Sequence, residues 1–218
     1  MRKTRLVPGE YYHLYNRGVD KRTTFTSASD YERSVTLLYA CNSKRAFDSD
    51  EQGKNIIQLL ERMFDRGEPL VAICAYVLMP NHFHILAKEI NEGGISRFMQ
   101  KIGVAYTGYF NKKHKRSGVL FQGAFKAKHA SRDPYCSYIA SYIHLNPIKL
   151  IEPKWKESGI RNRNKAEAFL TKYTYSSYPD YCGEKRLEGL IISKKDLPSS
   201  CVAAGDFKKE VRGWLNKT

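Results

Sequence analysis

The order of elements in this 218-residue sequence predicts an α+β fold: a ferredoxin-like antiparallel sheet with helices on one face, an appended helix and a C-terminal extension. Three observations carry the prediction. The apolar runs PLVAICAYVLM and HFHILAKE are separated only by Pro80-Asn81 and read as an antiparallel pair. The run GISRFMQKIGVAYTGYFNKKHKR places Ile95, Phe98, Met99, Ile102, Ala105, Tyr106 and Tyr109 on one helical stripe. A tyrosine-rich strand, EYYHLYNRGV, opens the chain, and a last strand, LFQGAFKAKHAS, follows the long helix.

In chain order, the first strand covers residues 10–19 and is closed by the turn-prone Asn16-Arg17-Gly18. Helical patterning begins at SDYERSVTLLYACNS, with Ser29 or Asp30 as its cap, and resumes in GKNIIQLLERMFDRG, where Ile56, Leu59, Leu60 and Met63 share a face and Gly67 stops it. The charged stretch KRAFDSDEQG between them reads as a loop. After the strand pair, the long helix and the last strand comes a short helix, DPYCSYIASYIHLNP, with Pro134 near its start and Pro147 ending it. Residues 1–150 form the main domain on this reading. Residues 151–218 are a loop-rich basic extension that ends in a short basic helix, DFKKEVRGWLNKT.

Composition narrows the function. Apolar residues at 42% and aromatics at 12% are those of a globular chain rather than a disordered one. The 37 Lys and Arg against 22 Asp and Glu leave a formal charge of +15, a surplus that favours a polyanion, either nucleic acid or an acidic membrane surface. The longest apolar run has ten residues, too few to span a bilayer, and the start MRKTRLVPGEYY lacks a signal-peptide apolar segment, so a cytoplasmic protein is expected. The five cysteines are odd in number and never paired as CxxC, which argues for free thiols rather than a disulfide or zinc framework.

The pair His82 and His84 sits in the middle of a strand. Side chains alternate, so Phe83, Ile85 and Ala87 should face the helices while His82, His84, Leu86 and Lys88 share the other face. Two imidazoles on one sheet face can share a metal ion if another element supplies a third ligand. A lone His-x-His pair also arises by chance, and its weight comes from the short helix. There Tyr138, Tyr142 and Asn146 recur at intervals of four, with Tyr135 one turn earlier. A phenol beside a metal-held phosphate is a nucleophile in the making, and the Asn146 amide oxygen can complete the metal shell. The plainer reading is of tyrosines packed on a short helix with their hydroxyls at the surface.

The segments YVLMPNHFHIL, GYFNKKHKRSGVLFQGAFKAKHA and YIASYIHLNPIKLIEP, with YHLYNRG before them and YTYSSYPDY after, resemble the single-tyrosine HUH transposases. The likeness is to the REP-associated tyrosine transposases, kin to the IS200-like family, and covers roughly residues 8 to 182. It implies a sheet whose His-hydrophobic-His pair, here His82-Phe83-His84, holds a divalent metal against the scissile phosphate of single-stranded DNA. A helix tyrosine attacks that phosphate and leaves a 5′-phosphotyrosine and a free 3′-hydroxyl. In this family the tyrosine lies four residues before the Asn of an NP pair, which here is Tyr142, with Tyr138 as its rival; Asn146 is then the polar residue that assists the metal. His144, two positions on, points off that face. Mg²⁺ is the ion the resemblance implies, and Mn²⁺ suits two imidazoles better. Also implied are a bacterial, nucleoid-associated location, a hairpin-forming single-stranded DNA partner, and a monomer, with a homodimer as the alternative.

Basic runs supply the expected DNA contacts: Lys112, Lys113, Lys115 and Arg116 in NKKHKRSG, Lys126 and Lys128 in KAKH, and Arg17, Lys21 and Arg22 after the first strand. Tyrosines and phenylalanines interleave them, as a single-strand binder needs for base stacking beside phosphate contacts. Part of this charge is explained by lysines that complement a helix C-terminus. Relatives often carry an Arg after the QG, and this chain has Ala124, with Lys126 and Lys128 as substitutes. Three activities stay open: a strand transferase acting through Tyr142, a domesticated non-catalytic binder of structured single-stranded nucleic acid, and a hydrolytic zinc or manganese nuclease in which Tyr142 is structural.

Overall fold

In the computed structural model, residues 4–46, 55–61, 63–130, 133–197 and 213 are described. Strand β1 (Tyr11–Arg17) is followed by helices α1 (Ala28–Ala40) and α2 (Ile56–Glu61), the hairpin of β2 (Val71–Met79) and β3 (His82–Glu89), the long helix α3 (Gly94–Lys113) and strand β4 (Lys126–His129). Helix α4 (Asp133–Leu145) then leads into a 3-10 turn over Asn146–Leu150, where Pro147 stops the α-helix as expected. The strands lie in the order β2-β3-β1-β4, and every neighbour pair is antiparallel. That is the split arrangement of a ferredoxin-like sheet, with β3 inserted between β1 and β2.

Patterning explains the layers. On one face Leu14, Phe83, Ile85 and Ala87 meet Val35, Leu37 and Leu38 of α1 and Ile95, Phe98, Ile102 and Tyr106 of α3. On the other, Val77, Met79 and Leu86 meet Ile139, Ala140 and Ile143 of α4. Strand β2 is therefore buried along its whole length, and this is why its sequence is a continuous apolar run rather than an alternating one. Strand β3 keeps its alternation, with aliphatic and aromatic side chains towards α1 and α3 and histidines towards α4.

The segment after residue 150 differs from the loop-rich expectation. It carries α5 (Trp155–Ser158), α6 (Arg163–Lys172) and α7 (Tyr178–Tyr181), and its Trp155, Ile160, Ala166, Leu170, Tyr178 and Leu197 join the core on the α4 side. Two of these helices have four residues each, too short to show a helical period in sequence. Backbone bonds Leu78 N–H to Tyr175 O (2.9 Å) and Ser177 N–H to Tyr76 O (3.0 Å) lay this segment along the free edge of β2 and cover it. Arg186 locks the corner: its Nε and Nη2 donate to the buried Asp180 carboxylate (2.9 and 2.6 Å), and its guanidinium also reaches the carbonyls of Thr174 and Ser176.

Smaller departures have local causes. Helix α1 is capped from Ser27, not Ser29 or Asp30; Asp30 lies in the first turn and its carboxylate turns back to accept from the Thr26 and Ser27 N–H groups (2.7 and 3.1 Å). Helix α2 ends at Glu61, so Met63 leaves the expected face, takes a positive φ of 55° and is 89% exposed. Strand β4 keeps only four residues of the expected run. The loop expected over residues 44–53 lies mostly outside the described residues, as does the helix expected over 206–218 apart from residue 213. Of the cysteines, Cys41, Cys74 and Cys136 are buried, Cys182 is half-buried and Cys201 lies outside the described residues. Gly94 starts α3 where a Cβ would stand 2.3 Å from the Leu70 carbonyl oxygen. Among the described residues no helix is long and apolar enough to cross a membrane.

Asp30 joins the two helices of the first face. Its fully buried side chain accepts from Lys113 Nζ (2.6 Å), Tyr109 OH (3.0 Å) and Thr26 Oγ1 (2.7 Å). Burial pushes its pKa up, but these donors outweigh burial and hold it well below the ordinary carboxylate value. Its contribution to stability is therefore complete above the unfolded carboxylate value and is lost as pH falls towards the depressed one. Asp30→Ala should cost about 1–3 kcal/mol, since it leaves the cap donors of Thr26 and Ser27 and the Tyr109 hydroxyl without their acceptor and removes the Lys113 ion pair. Urea unfolding at pH 7 measures that loss, and the gap to the parent protein should narrow steadily below about pH 4.

Candidate active site on the sheet face under helix α4

Register assembles this site before any side-chain detail is considered. Across β1 and β3, Tyr15 stands opposite His84 and Arg17 opposite His82; across β1 and β4, His13 stands opposite Lys128 and Tyr15 opposite Lys126. Opposed residues project to the same side of a sheet. One face thus gathers His13, Tyr15, Arg17, His82, His84, Lys126 and Lys128.

The histidines are held, not loose. His82 Nδ1 lies 2.6 Å from Asn81 Oδ1, and because an amide oxygen only accepts, Nδ1 carries the proton and Nε2 keeps its lone pair. His84 Nδ1 lies 2.8 Å from His13 Nε2 in a buried imidazole pair. Burial lowers His13 to about 4, helped by Lys128. Burial likewise lowers His82 to about 4, with Arg17 and Lys149 adding to it and Asn146 opposing it. His84 is pushed well below its ordinary value, first by burial and then by His13, His82, Lys149 and Lys156. All three rings are neutral at neutral pH, the form in which imidazole binds a metal.

Helix α4 brings the tyrosines. The half-buried Tyr142 meets His84 edge-on with ring centres 5.4 Å apart, and His13 at 6.1 Å. Tyr138 lies one turn back, its ring stacked on that of Tyr142 at 6.3 Å, so of the two only Tyr142 stands between the helix and the histidines. One turn beyond Tyr142, Asn146 is fully buried against His82, and neither amide atom makes a hydrogen bond of good geometry. The amide's nearest polar neighbour is His82, so its hydrogen-bonding capacity faces the same point as the imidazole. Among the described residues no group of three or more His, Cys, Asp and Glu gathers to hold a metal; the donors here are two imidazoles and an amide oxygen, a set that fits a divalent ion of intermediate softness. His144 turns away as expected, bonding Ser177 Oγ through Nε2 (2.7 Å).

The site also holds His13, Tyr15, Lys149 and Lys156, none of which the sequence singles out. His13 was within reach, because alternation along EYYHLYNRGV already puts it on the face of Tyr15 and Arg17. Lys156 was not: it comes from α5, and its Nζ sits 4.1 Å from the Tyr142 ring centre. The expected DNA contacts divide. Arg17, Lys126 and Lys128 are exposed beside the histidines, and Lys21 and Arg22 are exposed next to the β2–β3 turn, where the Lys21 carbonyl accepts from Asn81 Nδ2 (3.1 Å). Lys112, Lys113, Lys115 and Arg116 end or follow α3, the helix on the opposite face. There Lys113 is committed to Asp30, and Arg116 donates to the Val119 carbonyl (3.2 Å). Ala124 is exposed in the loop before β4.

A family described as IS200-like transposases matches residues 29–146, more than half of the chain, and that span holds His82, His84, Tyr142 and Asn146. The chain belongs to the IS200-like transposase family. Among solved structures it is similar in fold to a REP-associated tyrosine transposase bound to a REP hairpin, with a TM-score of 0.53 and 12% identity over 84% of this chain and 86% of that one. No curated protein matches it. His13 and Lys156 lie outside the span the family match covers.

Neutral, buried imidazoles have a measurable consequence. Unfolded histidines bind protons below about pH 6.5, which the folded site resists, so the stability these rings contribute should fall as pH drops from there, the share of His13 and His82 being spent near pH 4. In metal-free protein, imidazole ¹⁵N spectra should show His13 and His82 neutral at pH 6; a protonated signal from either at that pH contradicts the burial described.

Proposed function

We propose that this chain is a metal-dependent strand transferase that cuts and rejoins single-stranded DNA at hairpin-forming palindromes through Tyr142. One observation carries the reading: Tyr142 lies edge-on to His84 on a sheet face that also holds His82 and, against it, the buried amide of Asn146. A fold shared with a hairpin-bound transposase and membership of the IS200-like family support it.

In this reading His82 Nε2, His84 Nε2 and Asn146 Oδ1 hold a Mg²⁺ or Mn²⁺ ion. The ion, when bound, polarises the scissile phosphate and offsets its charge. The chain's own residues do the rest. His13 accepts from His84 Nδ1–H and so fixes the tautomer that leaves Nε2 free, while Asn81 does the same for His82. The Tyr142 oxygen forms a bond to phosphorus as the bond from phosphorus to the 3′-oxygen breaks. The phenol proton is lost to solvent and the 3′-oxygen takes one up. The phosphotyrosine keeps the phosphodiester energy, so a second 3′-hydroxyl can rejoin the strand without a nucleotide cofactor. Arg17, Lys126 and Lys128 border the path of the backbone and supply phosphate contacts.

Incubating the protein with labelled single-stranded hairpin DNA and Mg²⁺ or Mn²⁺ should give a covalent adduct on a denaturing gel, abolished by Tyr142→Phe. Binding without any adduct under either ion replaces this reading with that of a non-catalytic binder, and cleavage that persists in Tyr142→Phe replaces it with a hydrolytic nuclease. His13→Gln should weaken Mn²⁺ binding by about 10–100-fold in an EPR titration, the usual cost of losing the group that orients a ligand.

A further inference from the structure

Helix α4 carries more aromatic surface than the chemistry above uses. The rings of Tyr135, Tyr138 and Tyr142 form a row, with neighbouring ring centres 6.3 Å apart at both steps and interplanar angles of 23° and 22°. The row runs from solvent to the site: Tyr135 and Tyr138 are 36% and 41% exposed, and Tyr142 is half-buried against His84. Burial of apolar surface accounts for the other side of α4, where Cys136, Ile139, Ala140 and Ile143 enter the core, whereas Tyr135 and Tyr138 keep more than a third of their surface in solvent. Cations stand at the inner end of the row. Lys156 lies over the Tyr142 ring, and Lys149, in the 3-10 turn that follows α4, acts on the histidines.

We infer that Tyr135 and Tyr138 form a stacking subsite for unpaired nucleobases of the strand that flanks the scissile phosphate, with Lys156 neutralising its backbone where it reaches Tyr142. The inference rests on the proposed reading of Tyr142, because attack by that residue brings unpaired DNA along α4. Aromatic faces bind every base through its π-surface, and cations beside them track the phosphates; together these are what a sequence-tolerant grip on a single strand requires. The positive charge excludes an apolar peptide as the natural occupant of the row. Tyr138 thereby has a role of its own, that of a positioning residue which sets the register of the strand while Tyr142 attacks.

The test uses two DNA probes, a blunt hairpin and the same hairpin with a single-stranded flank carrying 2-aminopurine. On the full chain, the flank should add affinity and quench 2-aminopurine fluorescence by stacking. Tyr138→Ala should weaken binding of the flanked hairpin about tenfold and abolish the quenching, with binding of the blunt hairpin unchanged; Tyr138→Trp should retain both. Lys156→Met should weaken the flanked probe alone and flatten its salt dependence. Equal losses on both probes would mean a structural role for Tyr138 and overturn the subsite, as would quenching that survives Tyr138→Ala or is absent in the parent protein. The adduct assay separates the two readings. An adduct with quenching insensitive to Tyr138 sinks the subsite and leaves the transferase; quenching that depends on Tyr138 without any adduct supports the subsite and sinks the transferase.

Discussion

The architecture depends on the burial of β2 on both of its faces. A nine-residue strand without a single charged side chain, buried at every position, leaves neither face to water, so helices must cover both. Helices α1 and α3 cover one, as in any ferredoxin-like sheet, and α4 with the extension is held to the other. That second covering is what sets Tyr142 over β3. Because β3 alternates while β2 does not, the same hydrophobic demand that recruits α4 brings its tyrosine face onto His82 and His84.

The polar chemistry is confined to the strip where this covering is incomplete. Three imidazoles are packed among Arg17, Lys128, Lys149 and Lys156, and burial together with that positive field keeps them neutral. A cluster of this kind repels a proton but not a metal accompanied by a phosphate, since the anion relieves the surrounding charge. The chain's excess of cations is thus distributed with a purpose at this face. On the opposite face one of them, Lys113, serves the fold, neutralising Asp30 at the junction of α1 and α3.

Much of this was legible in the sequence, and the exceptions have physical causes. The sheet order followed from the two apolar runs, the long amphipathic helix and the tyrosine-rich opening strand, because strand and helix periods are strong over such lengths. The His82, His84 and Tyr142 grouping followed from alternation, from the interval of four on α4 and from the family resemblance. Lys156 was not legible, since nothing in a four-residue helix announces which way it packs. Lys113 was not separable from its neighbours in the basic run, because charge alone does not distinguish a cation that meets a phosphate from one that balances a buried carboxylate; only the position of Asp30 shows its ion pair. Asn146 illustrates the reverse: its residue type and place were readable, but its full burial against His82 appears only when the packing around it is known.

The extension's grip on Tyr142 bears on the order in which the molecule is made. The strand that carries His13 is synthesised first, the histidine hairpin and α4 follow, and the lysine over the nucleophile candidate comes later still. Contacts so far apart in the chain form late and slow the completion of the fold. A growing chain that has reached α4 already possesses the histidines and the tyrosine, but it lacks the cation over that tyrosine and the segment that seals the edge of β2. The sheet face that gathers the histidines is thereby kept incomplete until the segment carrying Lys156 and Tyr175 has been translated.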